Sequence, residues 1–185
     1  MMEKGAKVLG YVLIDEEKGL FQGAVMVTDP RGIPLDFRYT DPVRPTRLER
    51  VLYGEALEIY LREEILLKNL LKVLEIRPHL WLCRDRALLQ PLAEQGALPV
   101  LLVEPTSHAP LENVGEIQPQ GESGSILLQA DPVSAPLRLT APLGGQAADL
   151  LAPILLEAAR SMELVEPFAR MRKALEIVGE EGRGD

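Results

Sequence analysis

Residues 46–75 carry the pattern that most restricts how this chain can fold. Thr46 and Glu49 have the spacing of a reciprocal helix cap. In such a cap the threonine oxygen accepts the Glu49 amide and the glutamate reaches back to the Thr46 amide. Leu48, Leu52, Ile59, Leu66, Leu70 and Val73 then recur on one face of a 3.6-residue period, and Pro78 ends the run. An unbroken helix of about 30 residues would be about 45 Å long. Gly54 and Asn69 are the points where it would break. A helix with an apolar stripe must lay that stripe on another layer.

The flanking segments supply the layer. Lys7–Ile14, Leu20–Thr28 and Ile33–Thr40 read as strands, with Asp15–Gly19 and Asp29-Pro30-Arg31-Gly32 as turns. In the third, Leu35, Phe37 and Tyr39 alternate with Asp36, Arg38 and Thr40. Short turns make these three an antiparallel meander. After Pro78, Leu80–Cys83 reads as a buried strand, Ala87–Gln95 as a helix stopped by Gly96, and Val100–Val103 as a second buried strand. Strand–helix–strand in this order predicts a parallel βαβ unit. Residues 105–145 turn rich in Pro, Gly and Ser, with two short strands at Ser125–Gln129 and Pro136–Thr140. Helices are expected from about Ala147 to Met162 and from Pro167 to about Val178.

The expected fold is therefore α/β. A mixed sheet of about five strands starts with the meander and continues α-β-α-β, with C-terminal helices. One domain is expected over residues 1–178: a core to 104, an irregular insertion over 105–145, and helices over 146–178. Residues 179–185 are expected to fray.

Composition narrows the class. The 185 residues are 46% hydrophobic and 26% charged, ordinary for a folded chain, but only 4% aromatic, so the core must be aliphatic. A formal net charge of −8 argues against general nucleic-acid binding, which is driven by phosphate neutralisation. The single cysteine, Cys83, and two histidines, His79 and His108, can build neither a disulfide framework nor a His/Cys zinc site. No apolar run reaches the roughly 18 residues of a membrane span, and the N-terminus lacks a signal-peptide pattern. A cytoplasmic protein off the membrane is the expectation.

Three carboxylates and a group of arginines are the candidate site residues. On a continuous helix Glu55 falls at the centre of the apolar stripe, where a carboxylate is costly unless paired or bound to metal. It is read either as a functional acid or as the partner of Arg62, Arg38 or Arg44. Asp15 and Asp85 end the first and fourth strands; with Glu55 they could hold Mg²⁺ or Mn²⁺ as catalytic acids, or simply serve their turns. Arg38, Arg44, Arg47 and Arg50, with Tyr53, surround the junction of meander and helix. From Arg31 to Arg50 five arginines face Asp36, Asp41 and Glu49, a local +2, which suits an anion or a protein partner. Cys83 reads as a small buried hydrophobe.

Two resemblances follow. The stretch from Gly23 to Gly54, through VTDPRGIPLDFRYT, PVRPT and LYG, is similar to the signature of an uncharacterised family of conserved bacterial proteins, which implies no activity. The element order also resembles the ribonuclease-H-like fold. Its nucleic-acid-cutting members place acids on the first strand, the first helix and the end of the fourth strand, positions that Asp15, Glu55 and Asp85 would take. The leading expectation is a non-catalytic binding or assembly protein using the Arg-rich junction, with no cofactor, an unknown protein partner or small anion, and homo-oligomer formation open. The alternative is a metal-dependent phosphodiesterase or nuclease of ribonuclease-H-like type.

Overall fold

The computed structural model describes residues 5–121 and 123–182. Eight strands form one mixed sheet: β1 (Leu9–Glu17), β2 (Leu20–Thr28), β3 (Pro34–Tyr39), β4 (Leu80–Cys83), β5 (Val100–Glu104), β6 (Ile117–Gln120), β7 (Ser125–Leu128) and β8 (Leu137–Thr140), in the order β3-β2-β1-β4-β5-β8-β7-β6. The meander is antiparallel, β1, β4 and β5 run parallel, and β8, β7 and β6 close the other side antiparallel. The sheet thus has eight strands where five were expected. The 105–145 segment joins it through β6, β7 and β8. Strand β6 carries Pro119, which offers no amide to a ladder and is tolerated because β6 is an edge.

Alternation along the central strands sorts their side chains onto two faces. Leu9, Tyr11 and Leu13 of β1, Leu80 and Leu82 of β4, and Leu101 and Val103 of β5 pack against α5 (Ala148–Ala159) and α6 (Glu166–Glu181). Val12, Trp81, Cys83, Val100 and Leu102 face the other way, toward α4 (Arg86–Glu94) and the long helical segment. Helix α6 continues to Glu181, past the expected stop near Val178; residues 183–185 of the expected tail lie outside the described residues.

The long helix does break, at Gly54. Helix α1 (Arg47–Tyr53) ends on Gly54 at φ 51°, a left-handed conformation that glycine adopts without strain. A 3₁₀ turn (Gly54–Ala56), α2 (Leu57–Ile59), a π-helical stretch (Tyr60–Leu67) and α3 (Lys68–Val73) follow. The cap is as expected: Glu49 N donates to Thr46 Oγ1 at 3.1 Å, and Thr46 N donates to Glu49 Oε2 at 2.9 Å. Beyond it the helical phase changes. Leu57, Leu61, Leu66, Leu67 and Leu70 are buried, whereas Leu48, Leu52, Ile59 and Val73 are exposed.

Two buried carboxylates tie the meander together. Asp29 accepts from Arg31 N at 2.8 Å, Ile33 N at 3.0 Å and the Arg31 guanidinium at 2.7 Å. Asp36 accepts from Arg38 Nε at 2.8 Å and from Glu75 N at 2.9 Å, linking β3 to the end of the helical segment. Burial alone would raise both carboxyls. The amide and guanidinium donors outweigh it and hold both below the usual 3.8. A lowered folded pKa gives stability that is present above the unfolded value and lost as pH falls through the folded one. Below about pH 4 the unfolding midpoint of the wild type is therefore expected to fall more steeply than that of Asp29→Asn/Asp36→Asn. Melts from pH 6 to 2 check this; parallel curves would remove these carboxylates from the acid response.

Candidate functional site

Ligands of open sheets with parallel strands gather beyond the C-terminal ends of those strands. Here those ends carry acids. Asp15 lies inside β1, not in the turn after it, because β1 runs on to Glu17 before a two-residue turn at Lys18 and Gly19. In step with Leu9, Tyr11 and Leu13, it faces α6, where Arg172 Nε lies 3.7 Å from Oδ2. Asp85 lies two residues past Cys83 on the side of α4, and its Oδ1 accepts Ala87 N at 2.9 Å as that helix's cap. Asp15 and Asp85 therefore project on opposite sides of the sheet.

Glu55 is not aimed at the core. It sits exposed on the 3₁₀ turn, because the break at Gly54 ended the count that put it at the centre of the stripe. Among the described residues it forms no ion pair with Arg62, Arg38 or Arg44. Arg62 Nε is buried with no hydrogen-bond partner, and Arg38 instead binds Asp36 and Glu75. No three His, Cys, Asp or Glu side chains among the described residues are grouped to hold a metal. Asp15, Glu55 and Asp85 are thus not brought together, and as a trio they do not fit one cation site.

Two acids lie at the ends of β4 and β5. Cys83 of β4 pairs with Leu102 of β5; Asp85 lies two residues past the first and Glu104 two past the second, and the charges of both reach the Cys83 thiol. Burial, then the negative charges of Asp85 and Glu104, push the Cys83 thiol up to about 12. Arg86 holds Glu104 Oε1 at 2.9 Å. Glu104 follows VLLV as the last residue of β5, an acid directly after a buried apolar strand, and that placement was the available signal. Cys83 is buried and neutral, as its sequence setting implied. His79 clips the start of β1, accepting Val8 N on Nδ1 at 3.0 Å and donating its amide to Val8 O at 2.9 Å.

Mid-strand, β1 carries a phenol. Tyr11 is fully buried, with Phe168 edge-on at 5.2 Å, and burial pushes its phenol far above the usual range. Its Oη and the buried Thr28 Oγ1 lie close on the same face of the sheet but form no well-made hydrogen bond with each other or with any other group among the described residues. An unsatisfied buried hydroxyl costs about 1–3 kcal/mol. Tyr11→Phe is therefore expected to leave stability unchanged or raise it by about 1 kcal/mol, read by urea denaturation; a loss above about 1 kcal/mol would show that the hydroxyl is bonded.

The arginines divide. Arg38 is paired, whereas Arg44, Arg47 and Arg50 are exposed and form no ion pair among the described residues. Val43 pairs back onto Phe21 through hydrogen bonds of 2.7 and 2.9 Å, which carries Arg44 over the β1–β2 turn. A Cβ at Gly19 would lie 3.3 Å from an Arg50 guanidinium nitrogen and 3.8 Å from one of Arg44. Tyr53 stacks on Tyr60 with centroids 4.4 Å apart.

Solved structures share this fold along nearly the whole chain. Endonuclease V of Bacillus subtilis superposes with a TM-score of 0.58 at 14% identity, over 95% of this chain and 82% of that one. Endonuclease V of Streptomyces avermitilis gives 0.59 at 16%, over 94% and 83%. The Ciona intestinalis enzyme, in complex with a 24mer DNA containing an inosine followed by a ribo-adenosine, gives 0.53 at 12%, over 94% and 87%. The chain has a nuclease-like fold. No family model matches it, and no curated protein does; the resemblance carried by the VTDPRGIPLDFRYT stretch therefore has no support from these matches. Two expectations are corrected. The non-catalytic binding or assembly reading, with its protein partner or small anion, is not carried forward, because the structures sharing the fold are endonucleases. The exclusion of nucleic acid falls too, since one of those structures holds DNA. A net charge sums the whole surface and does not report a local group of free arginines. Among the described residues no helix is long and apolar enough to cross a membrane.

Proposed function

We propose that this chain is a phosphodiesterase acting on nucleic acid, of the ribonuclease-H-like, endonuclease V type. The supporting observation is the correspondence of fold with endonuclease V along 94–95% of the chain. Within that fold we assign the site to the C-terminal ends of β4 and β5, which carry Asp85 and Glu104. Mg²⁺ takes one or two protein carboxylates and completes its shell with water and substrate phosphate, so this donor pair suits it, or Mn²⁺. Held by Asp85 and Glu104, such an ion would supply positive charge to the phosphoryl oxygens. The chain's own groups fix the pair: the Ala87 amide holds one Asp85 oxygen, and Arg86 orients Glu104. The cytoplasmic placement read from the sequence accords with this role.

Labelled DNA and RNA strands, with and without inosine, incubated with Mg²⁺, Mn²⁺ or EDTA, test the proposal. Asp85→Asn separates charge from structure, because asparagine caps a helix as well as aspartate does. Cleavage by the wild type is expected to fall at least about 100-fold in Asp85→Asn, with the melting midpoint preserved. No cleavage of any strand by the wild type would overturn the nuclease reading; cleavage unchanged in Asp85→Asn and Glu104→Gln would move the site elsewhere.

A further inference from the structure

Helix α1 has no buried residue, although it carries four large apolar or aromatic side chains in seven positions. Leu48, Val51 and Leu52 are 66%, 74% and 71% exposed. They lie three and four residues apart, so they form one continuous stripe. The stripe runs beside Arg44, Arg47 and Arg50, and at its end stands the Tyr53–Tyr60 stack. A helix held only by its cap and its junctions leaves this face to a partner.

We propose that this face binds single-stranded nucleic acid, with Arg44, Arg47 and Arg50 on the phosphates and Tyr53, backed by Tyr60, under an unpaired base. This rests on the nucleic-acid reading of the proposed function and names a docking surface separate from Asp85 and Glu104. Three observations select this occupant. The arginines have no carboxylate partner among the described residues, and two of them converge over one turn, so their charge is available to an anion. Two acids of this region are held locally: Glu49 by the cap and Glu16 by Gly19 N at 2.8 Å. The exposed apolar and aromatic side chains match the faces of unstacked bases, which a duplex conceals. With three phosphate contacts on a chain of net charge −8, the site is a short local clamp rather than a long basic track.

The test is fluorescence anisotropy with a labelled 20-nucleotide single-stranded DNA of mixed sequence, in EDTA so that binding is read without cleavage. Neutralising three phosphates on a single strand predicts a slope of log K against log[salt] of about −2. Arg44→Glu/Arg50→Glu is expected to weaken binding at least about tenfold at low salt and flatten the slope to −1 or less in magnitude. Tyr53→Ala is expected to weaken it roughly tenfold, with Tyr53→Phe retaining it, since stacking needs the ring and not the hydroxyl. These side chains are exposed, so circular dichroism melts should match the wild type. Wild-type affinity in the arginine double variant overturns this surface while the nuclease reading stands. No binding of any strand by the wild type overturns this surface, and cleavage with Mg²⁺ or Mn²⁺ then decides the nuclease reading by itself. Tighter binding of duplex overturns the single-strand assignment. A concentration-dependent dimer that Leu52→Glu dissociates, with DNA affinity unchanged, would give the face to a second copy of the chain instead.

Discussion

Replacing Leu82 by alanine is expected to lower unfolding free energy by about 3 kcal/mol, within the 2–5 kcal/mol seen for fully buried leucines. Leu82 is at the centre of β4, has no exposed surface, and pairs across the parallel ladder with Tyr11. Its side chain belongs to the layer between the sheet and helices α5 and α6. The neighbours on both strands are held by ladder hydrogen bonds, so they cannot collapse fully into the space left, and a cavity term adds to the lost burial. For a chain of this length about 3 kcal/mol corresponds to a fall of roughly 6–12 °C in the melting midpoint. A fall under about 2 °C would mean that this layer is loosely packed. Asp85 follows Leu82 by three residues, so cleavage should be lost in parallel with folding in this variant and recover on cooling.

What the sequence shows of this fold depends on how locally each signal is encoded. The Thr46–Glu49 cap and the meander need only neighbouring residues, and both are present. The parallel β4–α4–β5 unit was readable because its strands are continuous apolar runs, the mark of burial on both faces. The sheet's far side was not. Strand β6 reads IQPQ, with no apolar alternation, and only its pairing with β7 makes it a strand. Glu55 shows a different failure. Its predicted burial assumed one helical period across Gly54, and a left-handed residue resets the phase for everything after it. The same break uncouples α1 from the packed segment that follows it, and the apolar stripe of α1 faces solvent.

The candidate site was legible residue by residue but not as a constellation. Asp85 is visible from its place just past a strand; Glu104 gains meaning only because β5 lies beside β4 in the sheet. The arginines were visible as a local excess of charge, but which of them are free depends on Asp36 and Glu75 capturing Arg38. A whole-chain charge of −8 argues against nucleic acid only if it also describes the local surface, and around Arg44, Arg47 and Arg50 it does not.

Gly10→Val is expected to be the second severe substitution, costing about 3 kcal/mol, at the upper end of ordinary overpacking. A Cβ at Gly10 would lie 2.6 Å from Pro78 Cγ and 2.7 Å from Trp81 Cε3. Both are ring atoms, which cannot swing aside as the end of a flexible chain would. Relief therefore requires β1 and β4 to separate or Pro78 to shift, and Pro78 leads directly into β4. Gly54→Ala makes the contrast. Its Cβ would meet nothing within 4 Å, so its only cost is the backbone, φ 51° with ψ −128°, about 1–3 kcal/mol. Thermal and urea denaturation of the two variants should rank Gly10→Val below Gly54→Ala. Gly10→Val should also weaken cleavage in the fraction that remains folded, because displacing β4 moves Asp85 relative to Glu104. Gly54→Ala should leave cleavage intact while altering single-strand binding, since it re-aims Tyr53 and α1. If both variants change only stability, the ends of β4 and β5 are insulated from the strand packing beneath them, and the site does not depend on this contact.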